Sequence, residues 1–129
     1  MSLSFSPDGT RLLIGHNYCD TWDVTAGKPI RRLPGTYAAY SPDGQTVATG
    51  GVELANTARI WDAETGRERA QMVGGHQHGV TALIFSPNGR RVITGSASKT
   101  GISGQWEASI RCWDANTGEE VFDFGGCCD

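Results

Sequence analysis

Three segments of this chain are cut to one template, and a template that returns along a chain restricts the fold to an array of like units. Each copy opens with an aromatic residue followed by Ser-Pro-Asp/Asn-Gly, at Phe5–Gly9, Tyr40–Gly44 and Phe85–Gly89. Each then reaches a Trp-Asp pair, at Trp22-Asp23, Trp61-Asp62 and Trp113-Asp114. From the turn proline to the glycine that ends the next apolar run is eight residues in every copy: Pro7 to Gly15, Pro42 to Gly50 and Pro87 to Gly95. From the Trp to the next turn glycine is five: Trp22 to Gly27, Trp61 to Gly66 and Trp113 to Gly118. Fixed lengths at these two places are what paired strand registers demand.

The third copy shows the unit most fully. Val80–Phe85 is apolar on both alternating faces, as in a strand covered on both sides, and reads as strand a. Ser86–Gly89 is turn chemistry: proline presets φ, and Gly89 tolerates the positive φ that closes a hairpin. Strand b follows at Arg91–Thr94 and strand c at Ser109–Trp113; after the turn Ala115–Gly118 comes strand d at Glu120–Phe124. The unit is therefore a four-stranded antiparallel meander. The distance from the strand b glycine to the Trp runs 7, 11 and 18 across the copies, and that from the Trp to the next Ser-Pro aromatic is 18 and then 24. In a meander the b–c and d–a connections leave the sheet at the same end, so all length variation falls on one face. Variable loops on a fixed scaffold are where recognition usually sits.

Composition agrees with a turn-dense all-β chain: 18 of the 129 residues are glycine and 19% are charged. A net charge of -3, with only the isolated pairs Arg31-Arg32 and Arg90-Arg91, gives no footprint for nucleic acid. The sequence has no apolar run of membrane-spanning length and no secretion signal at Met1–Ser6, so no membrane partner is expected and the location reads as cytoplasmic. Cys19, Cys112, Cys127 and Cys128 lack zinc-type spacing and read as reduced thiols. No metal and no cofactor is expected.

The residues resemble the WD40 repeat family of β-propellers over nearly the whole chain. The third copy is the fullest match, with Gly75-His76, Val80, Phe85–Gly89, Gly95-Ser96 and Trp113-Asp114. The resemblance implies an all-β fold of four-stranded blades set radially about a channel, strand a innermost. The blades would be 1–35, 36–75 and 76–126, the last with a b–c loop insertion at 99–109, and 127–129 a tail. In the family a His before strand a, a Ser or Thr on strand b, an Asp in the b–c turn and the strand c Trp form a hydrogen-bonded tetrad. Copy three offers His76, Thr94 or Ser96, and Trp113, its Asp position lost in the insertion; copy two has Ala55 where Asp is typical; copy one has only the short turn Gly15–Thr21. Looser blades are expected, since each lost buried hydrogen bond is worth about 0.5 to 1.5 kcal/mol.

Propellers close with about 4 to 8 blades, so three form an incomplete ring. Leu3, Phe5 and Trp22 at one end, and Ile84, Trp113 and Phe122 at the other, are expected to meet water. With strand a of the first copy reading as curtailed, the chain is expected to be either a fragment of a longer repeat protein or a protomer that completes a ring with its own copies.

The function this implies is a protein-interaction scaffold of the WD40 type without catalysis; the alternative is a structural module that self-assembles, or joins further WD40 blades. Candidate partner-binding residues lie on the variable face: Asn17, Tyr18, His78, Lys99, Gln105, Trp106 and Glu107. Trp106 leads them, since exposed Trp is enriched at binding hot spots; the competing role is to fold back onto the blade or start an extra hairpin turn. Trp22, Asp23, Trp61, Asp62, His76, Trp113 and Asp114 repeat with the blades and read as scaffold. His76 and His78 lack third and fourth metal ligands nearby, and His16 reads as solvated. Cys127 and Cys128 read as a frayed tail. Arg59 and Arg111 are expected to pair with surface carboxylates at little gain. No catalytic Ser/His/Asp order or phosphate-binding glycine loop stands out.

Overall fold

A computed structural model of the chain describes residues 1–51, 57–74, 76, 78–100 and 104–126. Ala55, Cys127 and Cys128, to which the sequence reading gave roles, lie outside the described residues. The described residues form three antiparallel sheets of four strands in sequential order. The first holds β1 (Ser2–Phe5), β2 (Arg11–Gly15), β3 (Tyr18–Asp23) and β4 (Lys28–Pro34). The second holds β5 (Tyr37–Tyr40), β6 (Thr46–Gly50), β7 (Ala58–Asp62) and β8 (Glu68–Met72). The third holds β9 (Ala82–Phe85), β10 (Arg91–Thr100), β11 (Gln105–Asp114) and β12 (Glu120–Gly126). Among the described residues there is no helix, hence none long and apolar enough to cross a membrane.

The repeated motifs build the two tight turns of every sheet. In the a–b turn of the first sheet, the Ser6 hydroxyl accepts the Arg11 N–H at 3.0 Å and donates to Asp8 Oδ1 at 2.6 Å, which also accepts the Thr10 N–H at 3.0 Å. Ser41 and Asp43 repeat this, and Asn88 takes the Asp role beside Ser86, so an amide oxygen suffices. Gly9, Gly44 and Gly89 supply the left-handed φ, at 73°, 73° and 71°, that turns the chain into strand b. The Asp of each Trp-Asp pair closes the c–d turn. Asp62 Oδ1 accepts from the N–H groups of Glu64 and Thr65 at 3.0 and 2.9 Å, and Asp114 Oδ1 from those of Asn116 and Thr117 at 2.8 and 3.1 Å. Asp23 accepts from Ala26 at 2.9 Å. These N–H groups hold the Asp62 and Asp114 carboxyls below the usual carboxylate range. A bulge against strand d immediately precedes the Trp in all three sheets.

The cores lie between sheets. Because side chains alternate across a strand, the register puts Phe85, Val92 and Trp113 on one face of the third sheet and Ile84, Ile93 and Cys112 on the other. The Trp-bearing face, here the front, packs against the back of the preceding sheet. Phe85, Val92 and Trp113 bury Ala48, Ala58, Ile60 and Met72 of the second sheet, while Tyr40, Val47 and Trp61 bury Leu13, Cys19 and Leu33 of the first. Among the described residues, none covers the first sheet's front or the third sheet's back. Leu3, Phe5, Ile84 and Phe122 are exposed as the sequence predicts, and Trp22 is half-buried. Trp113 corrects the expectation: it is 2% exposed, because its face is the one laid on the second sheet. Strand a of the first sheet is not curtailed either, since β1 has four residues, as do β5 and β9.

Candidate interaction face

Two of the three repeat tryptophans, Trp61 and Trp113 but not Trp22, are anchored by a buried threonine on strand b. Trp113 Nε1–H donates to Thr94 Oγ1 at 2.7 Å and Trp61 Nε1–H to Thr49 Oγ1 at 2.8 Å; both threonines are fully buried. In the first sheet Ile14 holds this position, opposite Leu3 as Thr49 is opposite Ala38 and Thr94 opposite Leu83. Trp22 therefore has no strand b hydroxyl opposite its indole, and it is half-buried because, among the described residues, no sheet lies on its front.

The third sheet carries the network further. His76 reaches Thr94 Oγ1 through Nε2 and Ser109 Oγ through Nδ1, both at 2.6 Å. Ser109 on β11 thus stands where the resemblance placed an Asp, and the sequence reading, which treated 99–109 as a loop, missed it. Thr94 rather than Ser96 is the strand b member; the Ser96 hydroxyl reaches the carbonyls of His78 and Gly79, at 3.1 and 3.0 Å. Burial, with the Arg111 guanidinium adding to it, pushes the pKa of His76 below its ordinary value against the weaker pull of Glu120 and Asp123. A neutral imidazole with both ring nitrogens engaged is a fixed strut between strand c and the segment leading to strand a.

That strut stands at the root of the segment expected to be a loop. Lys99–Thr100 and Gln105–Ser109 instead prolong strands b and c: the β10–β11 pairing runs without a break from Arg91↔Asp114 through Ser96↔Ser109 to Thr100↔Gln105. These two arms form a paired ribbon that carries four of the seven candidate residues, Lys99, Gln105, Trp106 and Glu107, and approaches a fifth, His78. Trp106 is 58% exposed, with Lys99 Nζ 5.4 Å from its ring centroid. His78 Nε2 lies 3.8 Å from a carboxylate oxygen of Glu107. Gln105 stands opposite Thr100 at the outer end of the pairing. Asn17 and Tyr18 lie on the b–c turn of the first sheet: the Asn17 N–H donates to His16 Nδ1 at 2.8 Å, and the Arg32 guanidinium sits 5.1 Å over the Tyr18 ring. Arg32 donates to Asp20 at 2.7 and 3.1 Å, holding that carboxyl below its usual range. On the flank of the third sheet Arg111 pairs with Glu120 at 2.7 Å and Asp123 at 3.2 Å, and in the second Arg59 pairs with Glu68 at 3.3 Å.

Three stacked meanders, each opened by Ser-Pro-Asp/Asn-Gly and closed by Trp-Asp, define a propeller-type repeat. The chain belongs to the WD40 repeat family: the pattern described as WD domain, G-beta repeat matches residues 27–62 and 67–114. Among curated relatives it is 32% identical over 127 residues to telomerase Cajal body protein 1 of Homo sapiens, covering 88% of this chain and 21% of that protein. It is 28% identical over 132 residues to a guanine nucleotide-binding protein subunit beta of Zea mays, covering 93% of this chain and 32% of the relative. The chain thus spans a third or less of the length of these relatives. Among solved structures, Kuenenia stuttgartiensis hydrazine synthase superposes with a TM-score of 0.75 at 18% identity, over 94% of this chain and 35% of that one, a likeness of fold.

Proposed function

We propose that this chain is a protein-interaction scaffold without catalysis of its own, and that the b–c ribbon of its third sheet holds a protein or peptide partner. The observation that carries this reading is Trp106, a large aromatic side chain more than half exposed on a paired ribbon. Ribbon pairing fixes the backbone beneath it, so a partner gains a rigid aromatic anchor with little ordering cost. Lys99 beside the ring and Glu107 beside His78 supply charges of both signs around it, which suits a mixed polar rim. Relatives in the family are WD-repeat proteins, a class that in general mediates protein association.

A selection of displayed peptides against the full chain tests this. Selected peptides are expected to shift the tryptophan fluorescence and to lose roughly thirty-fold in affinity on Trp106→Ala, which corresponds to a hot-spot cost of about 2 kcal/mol. Peptides indifferent to Trp106→Ala and Lys99→Ala, or a selection with no binders, would overturn the assignment. A second reading, assembly of the chain with its own copies, is favoured by the two uncovered sheet faces.

A further inference from the structure

Twice within this chain the front of one sheet is laid on the back of the sheet before it, and the fit at the strand b glycine shows how. A Cβ placed on Gly50 would lie 2.8 Å from Val80 Cγ1 and 3.1 Å from Leu83 Cδ2, so the next sheet's side chains fill the slot this glycine leaves. Gly95 ends the same run in the third sheet, and among the described residues a Cβ there would meet only Ala82, at 3.6 Å. Over it opens an apolar cleft of about 220 Å³ lined by Ala82, Leu83, Ile84, Ile93, Gly95 and Ile110.

The side chains that match this cleft are on the other open face. Leu3 precedes Phe5 by two residues, as Leu83 precedes Phe85, and pairs with Ile14 as Leu83 pairs with Thr94. Leu3 and Phe5 are 61% and 60% exposed, and Leu12, Ile14 and Trp22 lie half-buried on the same front. Ile14, which removes the acceptor for Trp22, adds a further apolar side chain there. We infer that a second copy of the chain lays the front of its first sheet on the back of the third, Leu3 entering the cleft over Gly95, and that two copies close head to tail. Three sheets from each copy give a ring within the range of about 4 to 8 blades at which propellers close. Closure covers both open faces of each copy through one heterologous contact used twice.

This inference deepens the assembly reading, and its residues lie on the sheet flanks, apart from the ribbon around Trp106. Sedimentation equilibrium of the chain at micromolar concentration is expected to give twice the 13.8 kDa of one copy. Phe5→Glu and Ile84→Glu alter exposed side chains, and each alone is expected to give the mass of one copy with the β-sheet circular dichroism retained. Mixed in equal amounts they are expected to recover a two-copy species, because the first variant keeps an intact back and the second an intact front. Trp106→Ala is expected to leave the mass unchanged. A wild-type chain at the single-copy mass would overturn the inference. So would open polymers, a mixture that stays dissociated, or a dimer lost on Trp106→Ala.

Discussion

Replacing Thr94 by Val tests whether the third sheet is held by its buried network. The substitution nearly conserves volume but exchanges a hydroxyl for a methyl at a fully buried position. It strands two groups at once: the Trp113 indole N–H, bonded at 2.7 Å, and His76 Nε2, bonded at 2.6 Å, in residues 2% and 6% exposed. Each stranded group costs about 1 to 3 kcal/mol, and the extra buried methyl returns about 0.8 kcal/mol, leaving a loss of about 1 to 5 kcal/mol. The same change at Thr49 strands the Trp61 indole N–H. Thr94→Val should therefore exceed Thr49→Val by the cost of one group, about 1 to 3 kcal/mol. Urea denaturation followed by tryptophan fluorescence, at equal protein concentration and with the slope m compared between variants, measures both. Equal losses at the two sites, or a Thr94→Val loss below the Thr49→Val loss, would refute the reasoning.

Two more outcomes follow from groups held away from their ordinary ionisation. Burial depresses the pKa of His76 below 6.5 in the fold, so unfolded chains take up a proton more readily. The His76 contribution to stability is fully present above pH 6.5 and is lost as pH falls below it; chemical denaturation across this window should show a slope that His76→Gln reduces, and an unchanged slope would contradict it. The Cys19 thiol, 0% exposed and donating to the Gly35 carbonyl at 3.0 Å, is pushed up by burial to about 12. Alkylation at pH 8 mapped by peptide mass spectrometry should modify it only when urea is added; labelling at the rate of an unfolded thiol would contradict its placement.

Much of this architecture was legible because turn chemistry is local. Ser-Pro-Asp-Gly and Trp-Asp dictate where N–H groups find acceptors a few residues away, and the two constant spacings fix the a–b and c–d pairings. What escaped the sequence depended on partners distant along the chain. Ser96–Thr100 is small and polar and gives no strand signal, although Gln105-Trp106-Glu107-Ala108-Ser109 alternates polar and apolar residues as a strand does; the pairing of the two arms follows from continuing the β10–β11 register outward. Ser109 depends on the same pairing, since that register carries it to His76. The burial of Trp113 has a signal in the strand pairing: stepping across the register from Phe85 to Val92 to Trp113 puts the Trp and Ile84 on opposite faces, so the two cannot share one exposed surface. The candidate residues separate in the same way. Lys99 meets Trp106 and His78 meets Glu107 on the ribbon, while Asn17 and Tyr18 take their partners from the first sheet.

The second and third sheets each lay their Trp-bearing face on the back of the sheet before, and the rest of the architecture depends on that stacking. Nuclear Overhauser contacts of the Gly50 α-protons measure this most directly. The stacking predicts strong cross-peaks to the methyls of Val80 and Leu83, residues some thirty positions away that lie within about 3 Å of where a Gly50 Cβ would stand. A Gly50 that shows contacts only within its own sheet, with Leu83 methyls in fast exchange with water-facing surroundings, would contradict it.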